Sequence, residues 1–179
     1  CHLELMTKLT PELLLSAYSQ GVFPMAYDDG IYWFDPDLRA ILPLDGLHIS
    51  RSLARTLKKD LFEIRVNTAF TAVMRACASP SPDREDTWIS EEIITAYTNL
   101  YNLRFAHSVE AWFEGKLVGG LYGVALRGLF AGESMFSRET DASKVALVYL
   151  VDRLQERGFQ LLDVQFMTEH LRRLGAIEV

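Results

Sequence analysis

Only two of the 179 residues are cysteine, Cys1 and Cys77, too few for a disulfide framework or a cysteine-rich metal site. Cys77 is expected as a small buried hydrophobe. No apolar run has the length of about 20 residues that a membrane helix needs; the longest candidate lies around 145–151. The opening residues carry no secretory-leader pattern, and the expectation is a chain at work in the reducing cytoplasm. There are no repeats, low-complexity tracts or runs of five like charges. Net charge is −6, which excludes a protein that coats nucleic acid indiscriminately. With 49% hydrophobic and 23% charged residues, what is left is a globular chain with one good core and room for a smaller lobe.

Charge is unevenly spread. Residues 48–75 carry six basic side chains against Asp60 and Glu63, whereas residues 83–92 carry five carboxylates against Arg84. Surfaces of opposite sign suit two partners of opposite sign.

The chain is organised around residues 116–165. Lys116–Ala125 and Leu129–Ser134 read as strands joined at Arg127-Gly128, because glycine supplies the positive φ of short hairpin turns. Asp141 is the expected N-cap of a buried helix through Leu154, with Gly158 at its C′ stop. Phe159–Gln165 resumes as a strand, and alternation puts Asp163 and Gln165 on one face. Glu133 is expected at the matching end of the preceding strand. Two carboxylates and an amide then gather where the strands end.

Before this centre, Thr10-Pro11 opens a helix that Gly21 ends. The following stretch, GVFPMAYDDGIYWFDPDLRAILP, reads as loop with short strands at Ile31–Phe34 and Arg39–Leu42. Its aromatics form either a mini-core or a stacking platform for a base. Ser50 caps a helix over 51–59 that sets Arg51, Arg55, Lys58 and Lys59 on one face, either a solvated surface or a set of phosphate contacts. Phe62–Asn67 reads as a strand and Thr68–Ala78 as a helix; residues 79–87 form a polar loop. Ser90 opens a helix to about Leu103, His107–Phe113 is a strand turning at Glu114-Gly115, and Thr168 caps a short last helix.

From residue 62 the order is strand, helix, helix, three-strand meander, helix, strand, helix. It resembles the GNAT acyltransferase fold, an α+β class with a mixed sheet flanked by helices. The stretch where coenzyme-A enzymes of that fold bind pyrophosphate is MFSRETDASKVA here, without glycine, which disfavours that carrier. The segments GVFPM, YWFDPDLRAILP, LHISRSL, TWIS, AHSVEAW, LVGGLYGVALRGLFAGESMFSR, ASKVAL and LLDVQF together resemble the leucyl/phenylalanyl-tRNA–protein transferase family, from about Leu13 to Ile177.

That resemblance implies transfer of leucine or phenylalanine, less well methionine, from aminoacyl-tRNA to proteins beginning with Lys or Arg, marking them for N-degron proteolysis. It implies a small lobe over residues 1–61 beside a GNAT-like domain over 62–179, a monomer in the cytoplasm, and neither cofactor nor metal. Carried residue by residue, it makes Asp163 and Gln165 catalytic and puts Glu133 in an acidic pocket for the incoming peptide. Leu121, Phe130, Leu150 and Leu154 become the aminoacyl pocket, ordinary core being the alternative for Leu150 and Leu154. Trp88 is expected near the terminal adenosine, as is Met25, which stands where some members have a stacking tryptophan. Trp33 and Trp112 read better as core. Arg51, Arg55, Lys58 and Lys59 become tRNA contacts. Three rivals stand beside this reading: a coenzyme-A-dependent acetyltransferase, an aminoacyl-tRNA-dependent transferase with another acceptor, and a non-catalytic adaptor that binds basic N-termini.

Overall fold

A computed structural model describes residues 2–4, 8–79 and 89–179. Near the N-terminus come β1 (His2–Glu4), α1 (Pro11–Ser19), β2 (Phe23–Tyr27) and β3 (Gly30–Phe34). The hydroxyl of Thr10 accepts the amide of Leu13 at 3.2 Å, so the expected cap forms. After α1 the chain reverses through Gly21 (φ 78°), and Val22 N–H bonds back to the Ala17 carbonyl at 2.9 Å, a glycine-terminated helix end. The strands form a small antiparallel sheet in the order β1-β3-β2. Residues 23–27, not among the strands expected in this stretch, form one despite Pro24. The strand survives because β2 is an edge, where a missing N–H costs no ladder bond.

The main sheet has seven strands: β4 (Ala40–Ile41), β5 (Glu63–Val66), β6 (Ala106–Phe113), β7 (Lys116–Leu126), β8 (Leu129–Ser137), β9 (Leu161–Gln165) and β10 (Ile177–Glu178). Their spatial order is β10-β4-β9-β8-β7-β6-β5. Every pairing is antiparallel except β8 with β9. That parallel pair needs a crossover, supplied by α5 (Ala142–Glu156). The other helices are α2 (Arg51–Lys59), α3 (Phe70–Ala78), α4 (Glu91–Asn102) and α6 (Glu169–Arg173). From β5 onward this is the mixed α+β order expected of the acyltransferase fold.

The meander forms as its turns predict. Arg127 and Gly128 have φ of 51° and 85°, and Glu114 and Gly115 have 50° and 76°, the doubly positive pattern whose twist matches that of paired strands. The sheet is covered on both faces. One core joins α1, α3 and α4 to β7 through Tyr97, Met74 and Tyr122. The other joins α5 to β7, β8 and β9 through Leu121, Leu147 and Leu162.

Two local expectations change. Asp141 does not cap α5: its φ is 68° and its side chain makes no cap bond. The hydroxyl of Ser137 accepts the Ser143 amide at 3.1 Å instead. Asp141 turns outward to Thr56 of α2, whose Oγ1 donates to it at 2.8 Å. Likewise β8 does not end at Glu133 but runs on to Ser137. Tyr122 pairs with Ser134 and Gly123 with Gly132, so Glu133 is the extra residue of a bulge, a device that re-aims a side chain.

Candidate functional site

Strands β8 and β9 pair only where Leu129–Ala131 meets Leu161–Asp163. Beyond that point they part, and a cleft of about 300 Å³ opens between them. Leu121, Met135, Leu147 and Leu150 give it an apolar wall, and Met25, Glu133, Gln165 and Phe166 reach it from the other elements.

Glu133 is 8% exposed. The Tyr18 hydroxyl donates to its Oε1, and Gln165 Nε2 donates to the same atom at 3.3 Å. Since the single proton of Tyr18 goes to Glu133, the Tyr97 hydroxyl is the donor in the bond between the two tyrosines. Glu133 Oε2 is buried and has no hydrogen-bond partner among the described residues. Burial pushes the Glu133 carboxyl up from its ordinary 4.5 to about 7, against the bonds from Tyr18 and Gln165, which favour the anion. Burial, joined by the neighbouring Glu133, holds both tyrosines well above the ordinary phenol value.

Gln165 closes β9 with φ 69°, a region that side-chain-bearing residues avoid. Phe166 N–H bonds to the Val164 carbonyl at 2.9 Å, making Gln165 the centre of a three-residue γ-turn of the rare, strained hand. Asp163 holds that turn. Its Oδ1 accepts the Gln165 amide at 2.8 Å, and its Oδ2 takes the Arg39 guanidinium at 2.9 Å. Arg39 also donates to the Gly21 carbonyl and lies over the Phe23 ring at 5.2 Å. Burial raises the Asp163 carboxyl, Arg39 pulling the other way. Both Asp163 oxygens are committed inside the protein. Glu133 Oε2 and the Gln165 amide oxygen accept no bond from the described residues, but Oε2 is itself enclosed, so a ligand meets it only by displacing a neighbouring side chain. Two acceptors at the floor of an apolar cleft suit an amine or another N–H-rich cation.

Glu133, Gln165, Leu121, Leu150 and Met25 therefore share one cleft, with Asp163 directly behind it. Phe130 and Leu154 do not line it. They border a second cavity of about 170 Å³ near His107 and Arg153, which Leu150 also touches. The reason is position: Phe130 pairs with Leu162 on the still-paired stretch of β8 and β9, before the strands part. Arg51, Arg55, Lys58 and Lys59 are exposed on α2, and none has a carboxylate partner among the described residues. Trp88 and the polar loop after Ser79 lie outside the described residues. Trp33 is buried, as core packing requires.

Arg39, Tyr18 and Tyr97 were not singled out from the sequence. Tyr18 and Arg39 meet Glu133 and Asp163 across 115 and 124 residues. The local trace was a lone arginine in the apolar run LRAIL. No metal-binding group of three His, Cys, Asp or Glu occurs among the described residues, and no helix among them is long and apolar enough to cross a membrane.

Two family models match the chain: leucyl/phenylalanyl-tRNA protein transferase over residues 41–179 and the N-terminal domain of the same transferase over 7–37. A leucyl/phenylalanyl-tRNA–protein transferase of Paramagnetospirillum magneticum is 57% identical over 177 residues, covering 97% of this chain and 85% of the relative. That of Herpetosiphon aurantiacus is 58% identical over 176 residues, covering 97% and 90%. Among solved structures, L-PGS from Bacillus licheniformis has a similar fold, with a TM-score of 0.51 at 15% identity. The match covers 89% of this chain and 52% of that one.

Proposed function

The chain belongs to the leucyl/phenylalanyl-tRNA–protein transferase family, and on that premise we propose that its cleft is where an aminoacyl-tRNA ester meets the α-amine of an acceptor protein. The enzyme is an aminoacyltransferase. The amine attacks the ester carbonyl, a tetrahedral centre forms, and the tRNA ribose oxygen leaves with a proton as the peptide bond is made.

An aminoacyl ester is already activated, so catalysis rests on alignment and on stabilising the tetrahedral state. A free α-amine has a pKa of about 7.7–8.0, and a sizeable fraction is neutral near pH 7 without a strong base. The Gln165 amide oxygen accepts one N–H of that amine and orients its lone pair. Asp163 fixes Gln165 through the turn and acts on the amine only through it. Glu133 Oε2 takes the cationic side chain of an acceptor beginning with Lys or Arg. Leu121, Leu147 and Leu150 receive a leucyl or phenylalanyl side chain, with no polar partner to reward a smaller or hydrophilic one. The basic face of α2 binds acceptor-stem phosphates. Modified proteins enter N-degron proteolysis in the cytoplasm, and the enzyme works as a monomer.

The observation that carries this reading is the pair of free acceptors, Glu133 Oε2 and the Gln165 oxygen, beside an apolar wall in one cleft. Incubation with radiolabelled leucyl-tRNA and proteins starting with Arg, Asp or Met tests it. Label on the Arg protein alone is expected; label on the Asp protein would assign a different acceptor.

A further inference from the structure

Beside the mouth of the cleft, the β2–β3 hairpin carries a shallow depression of about 360 Å³ lined by Tyr27, Asp29, Tyr32 and Phe34. Phe34 at its inner end packs on the core, and Tyr27 at its outer end does not. Tyr27 is 53% exposed, among the more open large hydrophobic side chains of the described residues. The rings are held in shape all the same. Tyr32 donates to Asp29 at 2.6 Å, and Tyr27 meets Tyr32 edge to face at 5.6 Å.

The depression and the cleft are separate hollows linked by a row of touching rings. Phe166 borders the cleft and meets Phe34 at 6.2 Å, and Phe34 meets Tyr27 at 6.1 Å. An extended polypeptide advances about 3.4 Å per residue, so three to four residues reach from the cleft mouth to Tyr27.

Charge decides what fits. Between residues 9 and 38 there is no Lys, Arg or His, but there are Glu12, Asp28, Asp29, Asp35 and Asp37. All four aspartates are exposed around the hairpin. Asp35 has a loose contact with Arg39 at 3.7 Å, and Arg39 is already committed to Asp163. A nucleic-acid backbone is repelled by such a surface, whereas exposed tyrosines ringed by carboxylates attract basic side chains through charge and through the ring faces.

We propose that the β2–β3 hairpin is a docking strip for the extended segment just after the acceptor protein's N-terminal residue, and that it favours basic side chains there. This rests on the acceptor reading of the cleft. It makes the enzyme selective for several residues beyond the first.

The test uses the full chain, saturating leucyl-tRNA and two peptides that share an N-terminal Arg. One carries lysines at positions three to six and the other glutamates. The parent is expected to show a KM about tenfold lower for the lysine peptide, with similar kcat. Asp28→Lys combined with Asp29→Lys should abolish or invert that preference while leaving transfer to a short Arg dipeptide unchanged. Neither position has a positive φ, and matching thermal unfolding confirms that the variant is folded. Tyr27→Ala alone should raise KM for both long peptides.

A parent with no preference, or a variant that retains it, overturns the strip. A variant whose KM changes for leucyl-tRNA and not for peptide assigns the hairpin to RNA and also overturns it. If the parent fails to transfer to any Arg peptide, the underlying acceptor reading has failed instead.

Discussion

Gln165 is the side chain on which the proposed chemistry turns. If its amide oxygen aligns the amine, Gln165→Ala should slow single-turnover transfer by about two to three decades, the usual effect of losing one aligned bond in such a site. Affinity for aminoacyl-tRNA should stay near the parental value. Backbone strain gives an independent check. With φ at 69°, Gln165→Gly should unfold later than Gln165→Ala by about 1–2 kcal/mol in a denaturant titration, yet both should be slow. Asp163→Asn keeps an acceptor for the Gln165 amide but leaves Arg39 without its anion, so it should lose both rate and stability, the latter by about 1–3 kcal/mol.

Glu133 makes a prediction in pH. Its folded pKa, about 7, lies above the ordinary 4.5, so the folded state holds the proton longer than the unfolded chain. The stability it contributes is full below about pH 4.5 and is lost as pH rises through 7, on the order of 3 kcal/mol in all. Glu133→Gln removes this slope, and the difference between variant and parent in urea melts from pH 4.5 to 8 should grow in favour of the variant. Capture of a basic N-terminus needs the anion, so parental KM for an Arg peptide should fall from pH 6 to 8. A cation bound at Oε2 lowers the carboxyl pKa and steepens that change. The variant should lose the Glu133 contribution, about tenfold over that range, and keep only the titration of the acceptor amine.

At the scale of elements, sequence and structure agree where the cause is local. Ser50 and Ser90 cap α2 and α4 at 3.1 and 3.3 Å, and Thr168 caps α6 at 3.1 Å. Each signal lies within four residues of the bond it makes, which is why reading along the chain finds it. The start of α5 was misread because its cap comes from Ser137, on the far side of a loop. Ser137→Ala should therefore cost about 1 kcal/mol of stability, as a lost cap does, whereas Asp141→Ala should act through the contact with Thr56.

A second remote cap lies under α3. Glu110 on β6 accepts the amides of Thr68 and Ala69 at 3.1 and 3.2 Å, and Ala69 offers no side-chain oxygen of its own. The motif HSVEAW was visible, but not the helix that it serves. The site follows the same rule. Period-2 alternation correctly put Asp163 and Gln165 together, but nothing in GESMFSR announces a bulge at Glu133, and Phe130 was grouped with a cleft it does not reach. Strand registers and bulges are decided by both partners, so one strand's residues cannot reveal them.

For the whole molecule, the dominant pattern is separation of charge. The exposed basic face of α2 lies in a chain whose net charge is −6. If that face binds phosphates, Arg55→Gln with Lys58→Gln should lower the slope of log affinity for aminoacyl-tRNA against log salt by about 2, each lost contact removing about 0.9. Filter binding between 50 and 300 mM salt measures it. An unchanged slope would leave α2 as a solvated surface.

Arg39 ties that whole together. One guanidinium holds Asp163 at the end of the main sheet and the Gly21 carbonyl at the end of α1, while Tyr18 of α1 holds Glu133. The turn at Gln165 is thus braced, through Asp163 and Arg39, by contacts that run back to the end of α1. If Gln165 aligns the amine as proposed, the two halves of the chain answer for one geometry, and damage to either is expected to be felt in the rate of transfer.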